Sequence, residues 1–285
     1  MAKQHPPQAR SPFFYKKKFG QHFLHDQAIL QKIIAALNLH QQDPVIEIGP
    51  GHGALTQYLL AQTARLIAVE IDADIIPALR EKCAPLGQLD IIQADVLKID
   101  FSQYFPAEKL RLVGNLPYNI STPILFHCLN HASHIEDMHF MLQKEVARRL
   151  VALPGTADYG RLSVMLQYYA ETHLLFNISA GAFTPPPKVE SSLVLIKPYT
   201  VKPYQAQDEN HFTQMVKQCF AHRRKTLRNN LKGTLDDSHI IHAGIDPQTR
   251  GETLNVAQFV RLSDCLTAIN MKPAETNFSL IHLDS

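Results

Sequence analysis

Cysteine is scarce and scattered in this chain. The four present, Cys83, Cys128, Cys219 and Cys265, never lie within forty residues of one another. That spacing excludes a zinc or redox pair and supplies no disulfide framework, so a reducing compartment is the expected home. Long hydrophobic runs are lacking as well. Nowhere do about 18 apolar residues follow one another, and no membrane-spanning segment is expected. The first residues carry charge without the apolar stretch of a secretory signal. These absences make the expected location cytoplasmic. An excess of either charge sign is missing too. The 28 Lys and Arg against 26 Asp and Glu give a net charge of +2, so total charge does not mark a nucleic-acid binder. No internal repeat and no low-complexity tract stands out.

What remains is ordinary globular material. The 285 residues are 45% hydrophobic and 19% charged, enough for one large domain or a core domain with a smaller appendage. Basic residues are unevenly spread. Lys3, Arg10, Lys16, Lys17 and Lys18 share residues 1–25 with no acid. Lys217, Arg223, Arg224, Lys225, Arg228 and Lys232 lie in 210–235, with Glu209 and Asp236 the nearest acids. Acid-poor runs suit RNA phosphates, and a solvated face is the plainer alternative. Arg224, Arg228 and Lys232, at i, i+4 and i+8, would share one face if the segment is helical.

Residues 1–14 contain Pro6, Pro7 and Pro12 among polar neighbours and read as a disordered tail. A helical pattern follows Asp26. From Val45 the signal alternates. VIEIG (45–49), LIAVEI (66–71), LDIIQAD (89–95), LRLVGN (110–115) and DMHFML (137–142) read as strands, with amphipathic helical stretches between and after them. Such alternation predicts an α/β domain with a parallel sheet over 15–200. HLLFNIS (173–179) and SSLVLIK (191–197) fit an antiparallel pair at the sheet edge. The Pro-containing polar stretch 198–210 reads as a linker, and 201–285 as a small helical domain.

Three features carry chemistry. Glu47-Ile48-Gly49-Pro50-Gly51-His52-Gly53 places glycines at a strand-to-helix turn, where a backbone without Cβ atoms can approach a ligand. Gly49, Gly51 and Ala54 alone also satisfy a loose dinucleotide-binding pattern. Glu70 ends the second strand 21 residues after Gly49, where an acid accepts hydrogen bonds from ribose hydroxyls. Asp95 ends the third strand and suits either an adenine amine or a helix cap. Asn115-Leu116-Pro117-Tyr118 closes the fourth strand. Its asparagine oxygen and the carbonyls around Pro117 can accept from an amine, and Tyr118 offers a π face to a base. These are the parts needed to hold an extruded aromatic amine. His131 and His134 have helical spacing, but no nearby cysteine or acid cluster completes a site, so no metal is expected.

Together with GQHFLHD (20–26), FTPPPKVESS (183–192) and FAHRRKTLRNNLKG (220–233), these motifs resemble the ribosomal RNA adenine dimethyltransferases, above all the bacterial small-subunit type. The similarity is collinear from about residue 15 to about 270. It implies a Rossmann-like S-adenosylmethionine-dependent methyltransferase domain followed by a helical RNA-contacting domain. It also implies that His22, Leu24, Gly49, Gly51, Glu70, Asp95 and Asn115 bind the cofactor. Asn115, Pro117 and Tyr118 would hold the target base, with Phe183 stacked on its other face. Arg223, Arg224, Lys225, Arg228 and Lys232 would grip RNA. The implied reaction is dimethylation of the N6 amines of adjacent adenosines, in a hairpin loop near the 3′ end of small-subunit ribosomal RNA, within a pre-ribosomal particle. Three alternatives differ in class or substrate. A nicotinamide oxidoreductase shares the glycine loop but has no use for N-L-P-Y. A non-catalytic ribosome-assembly protein would not need Gly49, Glu70, Asp95 and Asn115 intact. A large-subunit methyltransferase of the resistance type is disfavoured by Leu116 and the triple proline 185–187.

Overall fold

The computed structural model describes residues 22–271. In chain order the elements are β1 (Phe23–Leu24), α1 (Gln27–Leu37), β2 (Val45–Ile48), α2 (Thr56–Leu60), β3 (Leu66–Glu70), α3 (Ile76–Cys83), β4 (Leu89–Gln93), β5 (Leu110–Asn115), α4 (Ser121–Asn130) and β6 (Ile135–Gln143). They continue with α5 (Lys144–Val151), α6 (Arg161–Tyr169), β7 (Ala170–Ile178), β8 (Phe183–Thr184), β9 (Ser191–Pro198), α7 (Glu209–Cys219), α8 (Leu227–Asn230), α9 (Asp237–His242) and α10 (Val256–Met271). The expected tail 1–14 and its basic residues lie outside the described residues.

Every residue of β2 and β3 is buried. Strands apolar on both faces of the pleat belong in the middle of a covered, parallel sheet. They sit there in a seven-stranded sheet of order β4-β3-β2-β5-β6-β9-β7. The first five of those strands pair in parallel and β9 runs antiparallel to β6. This is the Rossmann-like arrangement that the alternating pattern predicts, with β9 and β7 neighbours at the edge.

The chain divides into two compact units. One holds the residues up to Lys144 together with Leu174–Ile196, the other Glu145–His173 together with the residues from Lys197 onward. A single boundary near residue 200 therefore catches only the last crossing. Helices α5 and α6 belong to the second unit, where α6 packs on α7 and α10. An amphipathic helix after a strand looks the same in sequence whether it covers the sheet or leaves it. The core of the second unit includes Phe212 stacked on Tyr168 at 4.1 Å and Phe220 on Phe259 at 5.6 Å. The helix on which a shared face of Arg224, Arg228 and Lys232 depends does not form. Only the single turn α8 forms, between turns that hold Arg224 and Lys232. Those two residues therefore do not share a helical face with Arg228.

In the first unit, Arg111 at the start of β5 ties the sheet to the α1 end. Its guanidinium meets Asp43 at 2.8 Å and Asp137 at 2.8 Å, and donates to the Leu37 and Asn38 carbonyls. Burial opposes ionisation of Asp137, yet His139 and Arg111 hold its carboxyl below the usual range. Replacing Arg111 with Met removes the cation shared by Asp43 and Asp137 and is expected to cost on the order of 3 kcal/mol in urea denaturation near neutral pH. A depressed folded pKa stabilises above the unfolded value, and that stability is lost as pH falls through the folded one. The deficit should therefore be largest above about pH 4 and shrink in acid. A pH-independent deficit would show that packing, not charge, is what Arg111 contributes.

Candidate active site

Parallel pairing in register carries the carboxyl ends of β2, β3, β4 and β5 to one edge of the sheet. A cavity of about 700 Å³ opens there, lined among others by His22, Leu24, Gly49, Gly51, Glu70, Asp95, Asn115, Pro117 and Tyr118. All of these belong to the first unit. Gly49 and Gly51 take φ of +68° and +54°, a region L side chains rarely enter. A Cβ on Gly51 would also stand 2.7 Å from the Phe23 ring. Glycine at 51 is thus required twice, by the backbone and by its neighbour.

The acids at the strand ends are held by backbone. Glu70 is 4% exposed and accepts from the Gly51 amide at 3.2 Å and the Asp72 amide at 2.9 Å. Burial pushes its carboxyl up, against the hydrogen bonds from Asp72, Gly51 and Ile71. Asp95 does cap a turn, accepting from the Leu97 amide through Oδ1 at 3.0 Å. Its second oxygen makes no hydrogen bond among the described residues, so cap and ligand roles are compatible.

Asn115 has a defined amide orientation. Nδ2 donates to the His22 carbonyl at 2.7 Å, and a carbonyl can only accept, so nitrogen must face it. The Asn115 Oδ1 is left without a hydrogen bond among the described residues. Pro117 offers a carbonyl that already accepts from the Ile120 amide at 3.1 Å, with one lone pair remaining. Tyr118 is anchored at its tip by Ser191, Oη to Oγ 2.5 Å, and burial pushes its phenol up against that hydrogen bond.

Phe183 departs from the sequence reading. It pairs with Leu24 in the two-stranded β1–β8 ladder, is 1% exposed and packs in the core of the unit. Its ring does not line the cavity. The ring beside Tyr118 is instead that of His22, at 5.6 Å between centroids and 27° between planes. Two-residue strands leave no periodicity to read, so nothing in the sequence signals this exchange. Leu24, 5% exposed, is both core and cavity wall.

Glu47 is the functional candidate to which sequence reasoning gave no role. It is 2% exposed in the middle of β2, accepts from the Thr56 hydroxyl at 2.6 Å and lines the cavity. Burial raises its pKa to about 7, with the nearby Glu70 adding to the shift. An acid inside an otherwise apolar strand was the available signal. Among the described residues no three His, Cys, Asp or Glu side chains cluster as a metal site, and no helix is long and apolar enough to cross a membrane.

In the second unit the basic residues are not equivalent. Arg223 pairs with Glu252 at 2.9 Å and Arg228 with Asp237, its Nε donating at 2.9 Å. Acids distant in sequence or across a turn thus neutralise two of the five. Arg224, Lys225 and Lys232 are exposed and have no ion pair among the described residues.

The model of the family described as ribosomal RNA adenine dimethylase matches residues 13–268. This chain belongs to that family. A Pseudomonas putida relative named ribosomal RNA small subunit methyltransferase A is 50% identical over 252 residues, 88% of this chain and 94% of the relative. The Acinetobacter baylyi protein of the same name is 52% identical over 250 residues, 87% and 91% of the two chains. Among solved structures, a dimethyladenosine transferase from Plasmodium falciparum matches with TM-score 0.72 at 26% identity, covering 85% of this chain and 96% of that one. The 23S rRNA methyltransferase ErmE matches with TM-score 0.68 at 27% identity, covering 86% and 99%. A dimethyladenosine transferase and a 23S rRNA methyltransferase thus share the fold, while the relatives near half identity carry the small-subunit name.

The raised Glu47 carboxyl predicts a pH signature. A folded pKa above the unfolded one favours folding below the unfolded value, and that contribution is lost as pH rises through about 7. Glu47→Gln keeps an acceptor for Thr56 and removes the ionisation. Between pH 5 and pH 8 the variant should gain on the wild type by on the order of 3 kcal/mol in thermal or urea unfolding. A constant difference across that range would show that Glu47 titrates normally.

Proposed function

We propose that this chain transfers methyl groups from S-adenosylmethionine to the N6 amine of adenosine in small-subunit ribosomal RNA, twice per base. The observation that carries the reading is the orientation of Asn115. Its amide nitrogen is committed to the His22 carbonyl, so its oxygen is the atom available to an incoming amine, beside the Tyr118 ring. A nicotinamide oxidoreductase has no use for that arrangement, and the names of the half-identical relatives favour the small subunit over the large.

The cavity suits the donor. The glycine turn lets backbone approach it, Glu70 keeps lone pairs for ribose hydroxyls beyond its backbone amide contacts, and Asp95 Oδ2 is free to accept from an adenine amine. The donor supplies an activated methyl on sulfur, with a good leaving group. The protein's own task is the nucleophile, because the amine lone pair is delocalised into the purine. Asn115 Oδ1 and the spare lone pair of the Pro117 carbonyl accept the two amine hydrogens, which favours a pyramidal nitrogen aimed at the methyl. This is positioning and electrostatics rather than covalent catalysis. Transfer releases the donor as a neutral thioether and leaves a cationic nitrogen that loses one proton to solvent, so a single hydrogen then remains for one acceptor. The weakened orientation costs on the order of 1 kcal/mol, which slows the second step without stopping it.

The targets in this reading are adjacent adenosines of a hairpin loop near the 3′ end, presented by an assembling small-subunit particle. Transfer to unmodified particles should exceed transfer to naked RNA. Mass spectrometry of released nucleosides should show monomethyladenosine rising transiently and giving way to the dimethyl form. Asn115→Ala should slow both steps at least about 100-fold. Monomethyladenosine that persists with fresh cofactor, or wild-type turnover in the variant, would overturn the reading.

For RNA binding we assign the larger share to Arg224, Lys225 and Lys232, whose charges are uncommitted, and the smaller to the paired Arg223 and Arg228. Neutralising the first three should lower the salt slope of RNA binding by up to about one unit for each phosphate no longer gripped, without changing which adenosines are modified. Equal losses from neutralising Arg223 and Arg228 would show that the ion pairs open on RNA.

A further inference from the structure

We propose that His127 is a positioning residue for the cofactor's adenine: its imidazole fixes the turn that aims the Asp95 carboxylate into the cavity. The proposal rests on the reading that Asp95 receives the adenine amine. Asp95 opens a single 3₁₀ turn, Val96–Lys98, just after β4. Its Oδ1 accepts from the Leu97 amide at 3.0 Å and its carbonyl from the Lys98 amide at 2.9 Å, while the Val96 carbonyl accepts from the Ile99 amide at 3.1 Å. These bonds close the turn on itself, and none of them ties it to the rest of the unit.

That tie comes from α4. The His127 Nε2 stands 2.9 Å from the Ile99 carbonyl, and a carbonyl can only accept, so Nε2 carries the proton and donates. A turn of three residues has poor hydrogen-bond geometry and no cooperative length. What holds its far end therefore decides how firmly its first residue is aimed. The imidazole is itself confined, with the fully buried Phe101 ring 5.7 Å away and the His131 ring 5.1 Å away. A metal-ligand role does not fit, because Nε2 faces the carbonyl and no three-ligand cluster forms among the described residues.

The placement of α4 gives the bond its reach. The helix begins at Ser121, soon after Tyr118, and Ile120 and Ile124 line the cavity together with Asp95 and Val96. Its last turn carries His127, and the helix packs against the Val96–Lys98 turn. One helix thus borders the cavity at its start and holds the adenine turn from its end. The acid at the end of β4 and the Asn115–Tyr118 segment after β5 are spaced by a rigid element rather than by two independent loops.

Calorimetry with two ligands reads the aim of Asp95. One is S-adenosylhomocysteine, the other the same molecule with hydrogen in place of the adenine amine. Wild type should prefer the first, and Asp95→Ala should lose most of that preference. His127→Phe keeps a ring beside Phe101 and removes the donor. It should cut the preference about fivefold, the worth of roughly one hydrogen bond, while affinity for the amine-free ligand and the thermal midpoint stay close to wild type. In methyl transfer the loss should fall on KM for the cofactor rather than on kcat. His127→Gln keeps an N–H donor and should recover most of the preference. An undiminished preference in His127→Phe, including one in which both affinities drop together, would refute the positioning role, and so would equal losses in Phe and Gln. If Asp95→Ala keeps the full preference, the adenine site itself is misassigned and the proposal falls with it.

Discussion

Everything at the cavity depends on how closely β5 lies against β2. Gly114 is paired with Ile48, and a Cβ on it would stand 2.5 Å from the Ile48 carbonyl. No side chain fits there without prising the two central strands apart. Because they are so close, the residues that follow them, Gly49 and Asn115, leave the sheet side by side; a Cβ on Gly49 would lie 3.9 Å from the Asn115 carbonyl. The parallel register then adds Glu70 and Asp95 from the next two strands at the same edge. One close approach of backbone thus sets the distance between the cofactor wall and the base wall, which methyl transfer needs held to a fraction of an ångström.

Burial gives that edge its electrical character. Glu47 and Glu70 are both pushed toward the neutral form by loss of water, and the charge on Glu70 makes Glu47 harder still to ionise. Such a pair is poorly tolerated in an apolar core. It becomes favourable beside a cation, where attraction offsets the cost of ionisation. The Thr56 hydroxyl and the backbone amides of Gly51 and Asp72 keep the carboxylates aimed meanwhile.

The sequence was legible where one element sufficed to show the pattern. LRLVGN coincides with β5, and Gly49, Glu70, Asp95 and Asn115 lie at or just beyond the ends of β2, β3, β4 and β5, as the pattern of strands predicts. Reading failed where the decisive partner lay far along the chain. Phe183 turns inward because residues 23–24 pair with 183–184, a ladder too short to leave a period. Arg223 and Arg228 lose their availability to Glu252 and Asp237, which no count of local acids would single out. Leu227–Asn230 stays a single turn although its surroundings have helical spacing: its ends are tied to distant segments, the Asn230 side chain donating to the Cys219 and His222 carbonyls and the Leu227 amide to the Thr249 carbonyl. His22 was expected at the cofactor by resemblance alone; the neighbours of its ring, Tyr118 and the Pro185 carbonyl, were beyond any linear pattern.

The interleaving of the two units has a consequence for synthesis. Helices α5 and α6 leave the ribosome before α7 and α10, on which α6 packs. About a hundred residues separate the end of α6 from the end of α10. At roughly 5–20 residues per second, the apolar faces of α5 and α6 wait some seconds for cover. Leu150, Val164, Leu166 and Tyr168 are buried in the finished protein and exposed during that interval. The stretch 145–169 therefore carries apolar side chains that find their cover only after residue 197 has been made. Circular permutation that places this stretch next to residue 197 would remove the delay.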